Sequence, residues 1–140
     1  MGLEENKAVY RRFMDEIFNK GRLELVDELV SPSYQLHDAS PGTRQGPEAI
    51  RQVVSMFRSG FPDLNISLDE LVAEGDKVAA RSTMRGTHRG AIFGIEASGK
   101  RVEVPGLTMV TIRDGRLQES WVKNDTMTLM SQLGAGGPPR

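Results

Sequence analysis

Apolar residues recur with helical spacing along the first part of the chain and with strand alternation after it. Val9, Tyr10, Phe13, Met14, Ile17 and Phe18 form two adjacent i, i+4 series. On a helix they cover nearly half the circumference, which predicts deep packing. Asn19-Lys20-Gly21 ends this helix, with Gly21 suited to the left-handed position after it. Leu23, Val26, Leu29 and Val30 predict a short second helix stopped by Ser31-Pro32. The chain then reads as extended around Tyr34 to His37, followed by a Pro-, Gly- and Ser-rich loop from Asp38 to Gly46. Pro47 suits the first turn of a third helix, whose apolar face is Ile50, Val53, Val54 and Phe57 and which Gly60 closes.

Past Phe61-Pro62-Asp63 the pattern becomes that of strands. Ile66 to Val72, Lys77 to His88, Arg101 to Arg113 and Arg116 to about Asn124 read as four strands. Turns fall at Glu74-Gly75-Asp76 and at Asp114-Gly115, the latter a strong hairpin signal. Strands in series with short links predict an antiparallel sheet, and helices gathered at one end of the chain predict an α+β layer pair. A short amphipathic segment with Met127, Met130 and Leu133 follows. Residues 1–134 read as one domain without repeat or linker, and the Gly- and Pro-rich residues 135–140 as a disordered tail.

Composition narrows the function classes. A chain of 140 residues fits one ordinary domain. Net charge is −1 with Lys and Arg scattered, which argues against nucleic-acid or anionic-membrane binding, because both need a concentrated basic patch. No apolar run approaches the roughly 20 residues of a membrane span. The acidic start Met1-Gly2-Leu3-Glu4-Glu5 does not resemble a signal peptide, so a cytoplasmic location is expected. The chain has no cysteine, which removes disulfides, thiolate catalysis and cysteine–zinc sites.

No Walker loop, GxGxxG, HExxH, EF-hand loop or GxSxG is present. Neither His37 nor His88 sits in a ligand-spaced pair, so no metal site is expected. The clearest chemical stretch is Trp121-Val122-Lys123-Asn124-Asp125. In a continuous strand 121, 123 and 125 share a face, so Asp125 would lie beside Trp121 near an apolar wall. Desolvation there favours its protonated form and brings it into general acid/base range. Alternatively, Asp125 before Thr126-Met127-Thr128 caps a final helix. His37 ends an extended segment and can polarise a substrate oxygen or bond to loop backbone. His88, after Gly86-Thr87, belongs to a pocket rim or to solvent. Tyr10, Phe13, Phe57, Phe61 and Met109 are core residues by spacing, and the same residues suit the wall of a cavity for a flat apolar molecule.

Several short stretches together resemble one family. They are His37-Asp38 after a Tyr-containing strand, Phe61-Pro62-Asp63-Leu64, Glu74-Gly75-Asp76-Lys77-Val78, Gly86-Thr87-His88 with Gly90 to Gly94, Asp114-Gly115-Arg116-Leu117, Trp121 to Asp125, and Gln132-Leu133-Gly134. In this order they resemble the SnoaL-like polyketide cyclases of the nuclear-transport-factor-2-like superfamily. The resemblance implies a cone of curved antiparallel sheet closed by the N-terminal helices, a pocket for an apolar or polyketide-like small molecule, and a homodimer through the sheet's outer face. It also implies an intramolecular aldol condensation needing no metal or organic cofactor, with the Asp of Trp-x-x-x-Asp, here Asp125, as acid/base. From the shared strand face, with the resemblance adding weight, Asp125 is expected to be buried, facing Trp121 and the first helix, and Trp121 and His88 are expected among the substrate-binding residues. The sequence departs from the family on the neighbouring strand, where Gly106-Leu107-Thr108-Met109-Val110-Thr111 carries no ionisable side chain. The oxyanion partner is then His37, His88, Asn124 or a Thr hydroxyl. Other readings are a non-catalytic small-molecule binder, a ketosteroid-isomerase-like enzyme, and an epoxide-hydrolase-like enzyme, which would want a second cavity-side Asp.

Overall fold

The computed structural model describes residues 2–37, 39 and 41–134, and the tail expected at 135–140 lies outside them. Helix α1 (Leu3–Arg12) runs on into a π-helical segment, Phe13–Asn19. Tyr10, Phe13, Met14 and Ile17 are all buried, as two overlapping apolar series require. Gly21 ends the run at φ +71°, its N–H donating to the Ile17 carbonyl at 3.0 Å. A 3-10 turn (Leu23–Leu25) leads into the short α2 (Val26–Leu29), and β1 follows at once over Val30–His37. The strand therefore starts at Val30 and contains Ser31-Pro32, which the sequence reading placed at a helix stop. Proline is tolerated there because β1 is an edge strand, where a missing N–H breaks no interior ladder.

Helix α3 (Pro47–Gly60) has proline in its first turn and buries Ala49, Ile50 and Val54. Strands β2 (Asn65–Glu74), β3 (Lys77–Thr87), β4 (Arg101–Arg113) and β5 (Arg116–Asn124) follow, then α4 (Thr126–Gln132). The sheet order is β1-β5-β4-β3-β2. Neighbours from β2 to β5 are antiparallel, and β1 lies parallel to β5. Asp114 and Gly115 turn β4 into β5 with φ of +54° and +74°, the pair of positive values a tight primed turn demands. The result is an α+β fold, a curved open sheet backed by the N-terminal helices.

One face of the sheet carries Val78, Ala80, Val110, Ile112 and Leu117, which pack with Tyr10, Phe13, Met14, Ile17 and Tyr34 into one apolar cluster. A second cluster on that face joins Phe61, Leu64, Ile92, Val102 and Val104 to Leu129 and Leu133 of the α4 region. This is the inner face. Alternation puts Val72, Leu107 and Met109 on the outer face, where they are 55%, 60% and 43% exposed.

Candidate active site

Between the two apolar clusters Ser82, Thr108 and Asn124 put polar side chains on the inner face. Cross-strand register aligns Leu68, Ser82, Gly106 and Asn124 in one row and Leu71, Ala80, Thr108 and Val122 in the next. Buried rows flank them: Val78, Val110 and Ser120 toward the first cluster, and Val104 beside the half-buried Met84 toward the second. Ser82, Thr108 and Val122 are only half-buried and Asn124 is exposed, so this strip stays accessible although helices back the face around it. Gly106 matters for its missing side chain. A Cβ there would lie 2.5 Å from Asn124 Oδ1, so any other residue would push the amide out of its place across β4.

Two tyrosines reach this part of the inner face, Tyr10 at the strip and Tyr34 at the buried row beside it. Tyr10 from α1 pairs with the Thr108 hydroxyl, and Tyr34 from β1 pairs with that of Ser120. Burial removes the water that would stabilise a phenolate and pushes both up to about 12, so each phenol is neutral at ordinary pH.

Asp125 sits at the end of this strip, one residue past Asn124, but it is not the buried acid that the resemblance implies. The carboxylate is exposed and caps α4: Thr128 N–H donates to Oδ1 at 3.0 Å and the Thr128 hydroxyl donates to Oδ2 at 2.6 Å. Those bonds, the hydroxyl's first, hold it below the usual carboxylate range, so it is ionised at neutral pH. Extended geometry stops at Asn124, and the Asp125 N–H donates to the Pro105 carbonyl at 3.0 Å.

Trp121, Met109 and His37 also stand elsewhere than expected. Trp121 pairs with Met109 on β4 and with His37 on β1, all on the outer face. The His37 ring stacks on Trp121 at 4.5 Å and 12°. His37 Nε2 lies 3.0 Å from Glu119 Oε1, and the Thr111 hydroxyl donates to Glu119 Oε2 at 2.8 Å. These partners, His37 first, hold Glu119 below its ordinary value. His37 is thus engaged away from the polar strip.

His88 is fully buried rather than at a rim or in solvent. Its Nδ1 accepts from the Ser98 N–H at 3.2 Å and lies 2.8 Å from the Ser98 hydroxyl, and its ring is 5.8 Å from Phe61. Among the described residues Nε2 has no partner. Of the remaining expected residues, Tyr10 and Phe13 belong to the first cluster and Phe61 to the second, with half-buried Phe57 against it. No group of three or more His, Asp or Glu among the described residues could hold a metal. Two surface clefts, one at Arg85, Arg101, Glu103 and Gln132 and one at Val9, Arg12, Glu28 and Leu29, contain none of the expected site residues.

A curved open sheet backed by N-terminal helices is the architecture of the nuclear-transport-factor-2-like class. The structure of TsrD from Streptomyces laurentii superposes with a TM-score of 0.88 at 32% identity, covering 97% of this chain and 99% of that one. The sequence pattern of the SnoaL-like polyketide cyclases matches residues 8–133, and the chain belongs to that family. Nogalonic acid methyl ester cyclase of Streptomyces nogalater is 30% identical over 129 residues, 89% of this chain and 95% of that protein. Aklanonic acid methyl ester cyclase DnrD of Streptomyces peucetius is 27% identical over 135 residues, 91% of this chain and 90% of that protein.

The sequence reading did not single out Ser82, Gly106, Thr108, Tyr34 or Ser120. The signal for them was strand alternation, which a bulge in β5 obscured. Glu119 pairs with Thr111 and Leu117 with Ile112, so Gln118 is an extra residue that reverses the facing of everything beyond it.

Proposed function

We propose that this protein closes a ring in a polyketide-derived methyl ester by intramolecular aldol addition, without a metal or organic cofactor. The observation that carries the reading is the polar strip on the inner face, bounded on both sides by apolar clusters, in a chain of this family. A flat apolar substrate would lie along the clusters and present its oxygens to the strip. Folding it so that the reacting carbons meet is the larger effect available, since well-oriented intramolecular reactions reach effective molarities of about 10⁵–10⁸ M.

The proposed proton acceptor is Asp125, as an ionised carboxylate at the end of the strip. It removes a proton from the carbon between two carbonyl groups, and the resulting enolate carbon bonds to a ketone carbon. The ketone's π pair moves to its oxygen, and the alkoxide takes the proton back from Asp125. Three readouts test this: product from the nogalonic and aklanonic methyl esters, persistence of activity in EDTA, and the variants Asp125→Asn and Asp125→Ala. Asparagine caps helices as well as aspartate does, so Asp125→Asn keeps the start of α4 while losing the base. Its turnover should fall by roughly 10²–10⁴ with the melting temperature unchanged. Asp125→Ala should lose the same activity and melt earlier. Wild-type turnover in Asp125→Asn would leave the residue a helix cap alone.

We also propose a homodimer through the outer face of the sheet, supported by the exposed Val72, Leu107 and Met109 in one region of that face.

A further inference from the structure

The aldol step builds negative charge on the ketone oxygen, and a donor aimed at that oxygen is usually the largest single contribution to such a reaction. Most candidate donors in the chain are already spent. His37 lies on the outer face against Glu119 and Trp121. His88 is buried six residues beyond Ser82, about 20 Å along an extended strand, so its Nε2, unpartnered among the described residues, is out of reach of this row. Thr111 donates to Glu119, Thr83 and Thr87 to Asp69 and Asp63, and Thr128 to Asp125. Thr126 is bonded to the Asn124 backbone carbonyl, and Thr108 to Tyr10.

Asn124 is different. It occupies the inner-face row with Ser82 and Gly106, and it is exposed while Gly106 beside it and Val104 in the next row are buried. Among the described residues its side chain makes no hydrogen bond, and only its backbone carbonyl is engaged. Its amide oxygen rests over Gly106, where a Cβ would come within 2.5 Å, so the NH₂ end turns away from β4. Ser82 Oγ lies 3.5 Å from the same Cβ position, which places a second hydroxyl on the row. A free amide beside the proposed base, with its space reserved by a glycine on the next strand, has the layout of a carbonyl-binding donor.

We propose that the side-chain amide of Asn124, positioned by Gly106, donates to the ketone oxygen that becomes the alkoxide during ring closure. The inference rests on the cyclase reading above and adds the residue that stabilises the developing charge. Asp125 handles the proton; Asn124 binds the oxygen. No atom is transferred to or from Asn124, so its whole effect is on the stability of the alkoxide.

The test measures steady-state turnover of aklanonic acid methyl ester by wild type, Asn124→Ala, Asn124→Asp and Gly106→Ala, with melting temperatures alongside. Loss of one such donor typically lowers kcat by about 10²–10³. Asn124→Ala should show that loss with a far smaller change in KM and in melting temperature. Asn124→Asp keeps the shape but replaces the donor by a negative charge, and should be at least as slow. Gly106→Ala should slow kcat in the same direction, because its methyl group displaces an amide it never touches chemically. A merely structural Asn124 would lower the melting temperature and leave kcat per folded molecule intact. That result, or wild-type kcat in Asn124→Ala or Asn124→Asp, overturns the assignment; wild-type kcat in Gly106→Ala overturns the positioning role. An inactive wild type fails the cyclase reading itself and takes this inference with it, whereas an active wild type with active Asn124 variants defeats the inference alone.

Discussion

Tyr10 and Tyr34 are the chain's two tyrosines, and both put a phenol into the inner face where water cannot solvate a phenolate. Their folded values near 12 exceed the ordinary 10. The neutral form is therefore the one the fold favours, and the stability this contributes is fully present below pH 10 and lost as pH rises through 12. An alkaline titration should show tyrosinate absorbance appearing only together with loss of the far-ultraviolet dichroism of the fold. Ordinary titration centred on pH 10 in a still-folded protein would contradict it. Asp125 shows the limit of reading at this scale. Its two roles, buried acid and helix cap, were both written in Trp121 to Thr128, and only the Thr128 bonds decide for the cap.

Element boundaries were legible where glycine and proline punctuate the chain. The spans of α3, β4 and β5 and the β4–β5 turn follow from Pro47, Gly60 and Asp114-Gly115. Facing was not legible beyond Gln118, because one unpaired residue exchanges inside for outside and leaves no compositional trace. That single bulge moves Trp121 and Glu119 outward to His37 and brings Ser120, Val122 and Asn124 inward. The parallel pairing of β1 with β5 was equally hidden, since it depends on the chain returning across the helices. The β3–β4 connection makes a prediction of its own. The N–H groups of Arg89 and Gly90 donate to the Gly60 carbonyl at 3.0 and 3.2 Å, and a Cβ on Gly90 would stand 2.1 Å from the Ser59 carbonyl oxygen. The clash is with backbone, which cannot rotate aside, so Gly90→Ala should destabilise by about 1–3 kcal/mol and open this connection to limited proteolysis. A variant with wild-type melting temperature and protease resistance would show that the loop is not docked on α3 in solution.

For the molecule as a whole, the family and the α+β fold were visible in the order of weak motifs from His37 to Gly134, and the comparisons bear both out. The site was less visible, because its groups come from β3, β4, β5, α1 and β1 and meet only through register. The outer face leaves Leu107 and Met109 beside half-buried Trp121, an apolar patch on a sheet that no helix among the described residues covers on that side. Light scattering should therefore give a dimer at micromolar concentration, and Leu107→Arg should give a monomer. A monomeric wild type would refute that assembly.

The central claim is ring closure by this chain alone. The most direct measurement is to incubate the purified, EDTA-treated protein with nogalonic acid methyl ester and aklanonic acid methyl ester and follow the products by mass spectrometry and chromatography. An aldol addition within one molecule conserves mass, so the expected product has unchanged mass and new retention, is formed by wild type and is almost abolished in Asp125→Asn. Binding of both esters with no isomeric product from either would contradict it and would make this protein a carrier of such molecules rather than a catalyst.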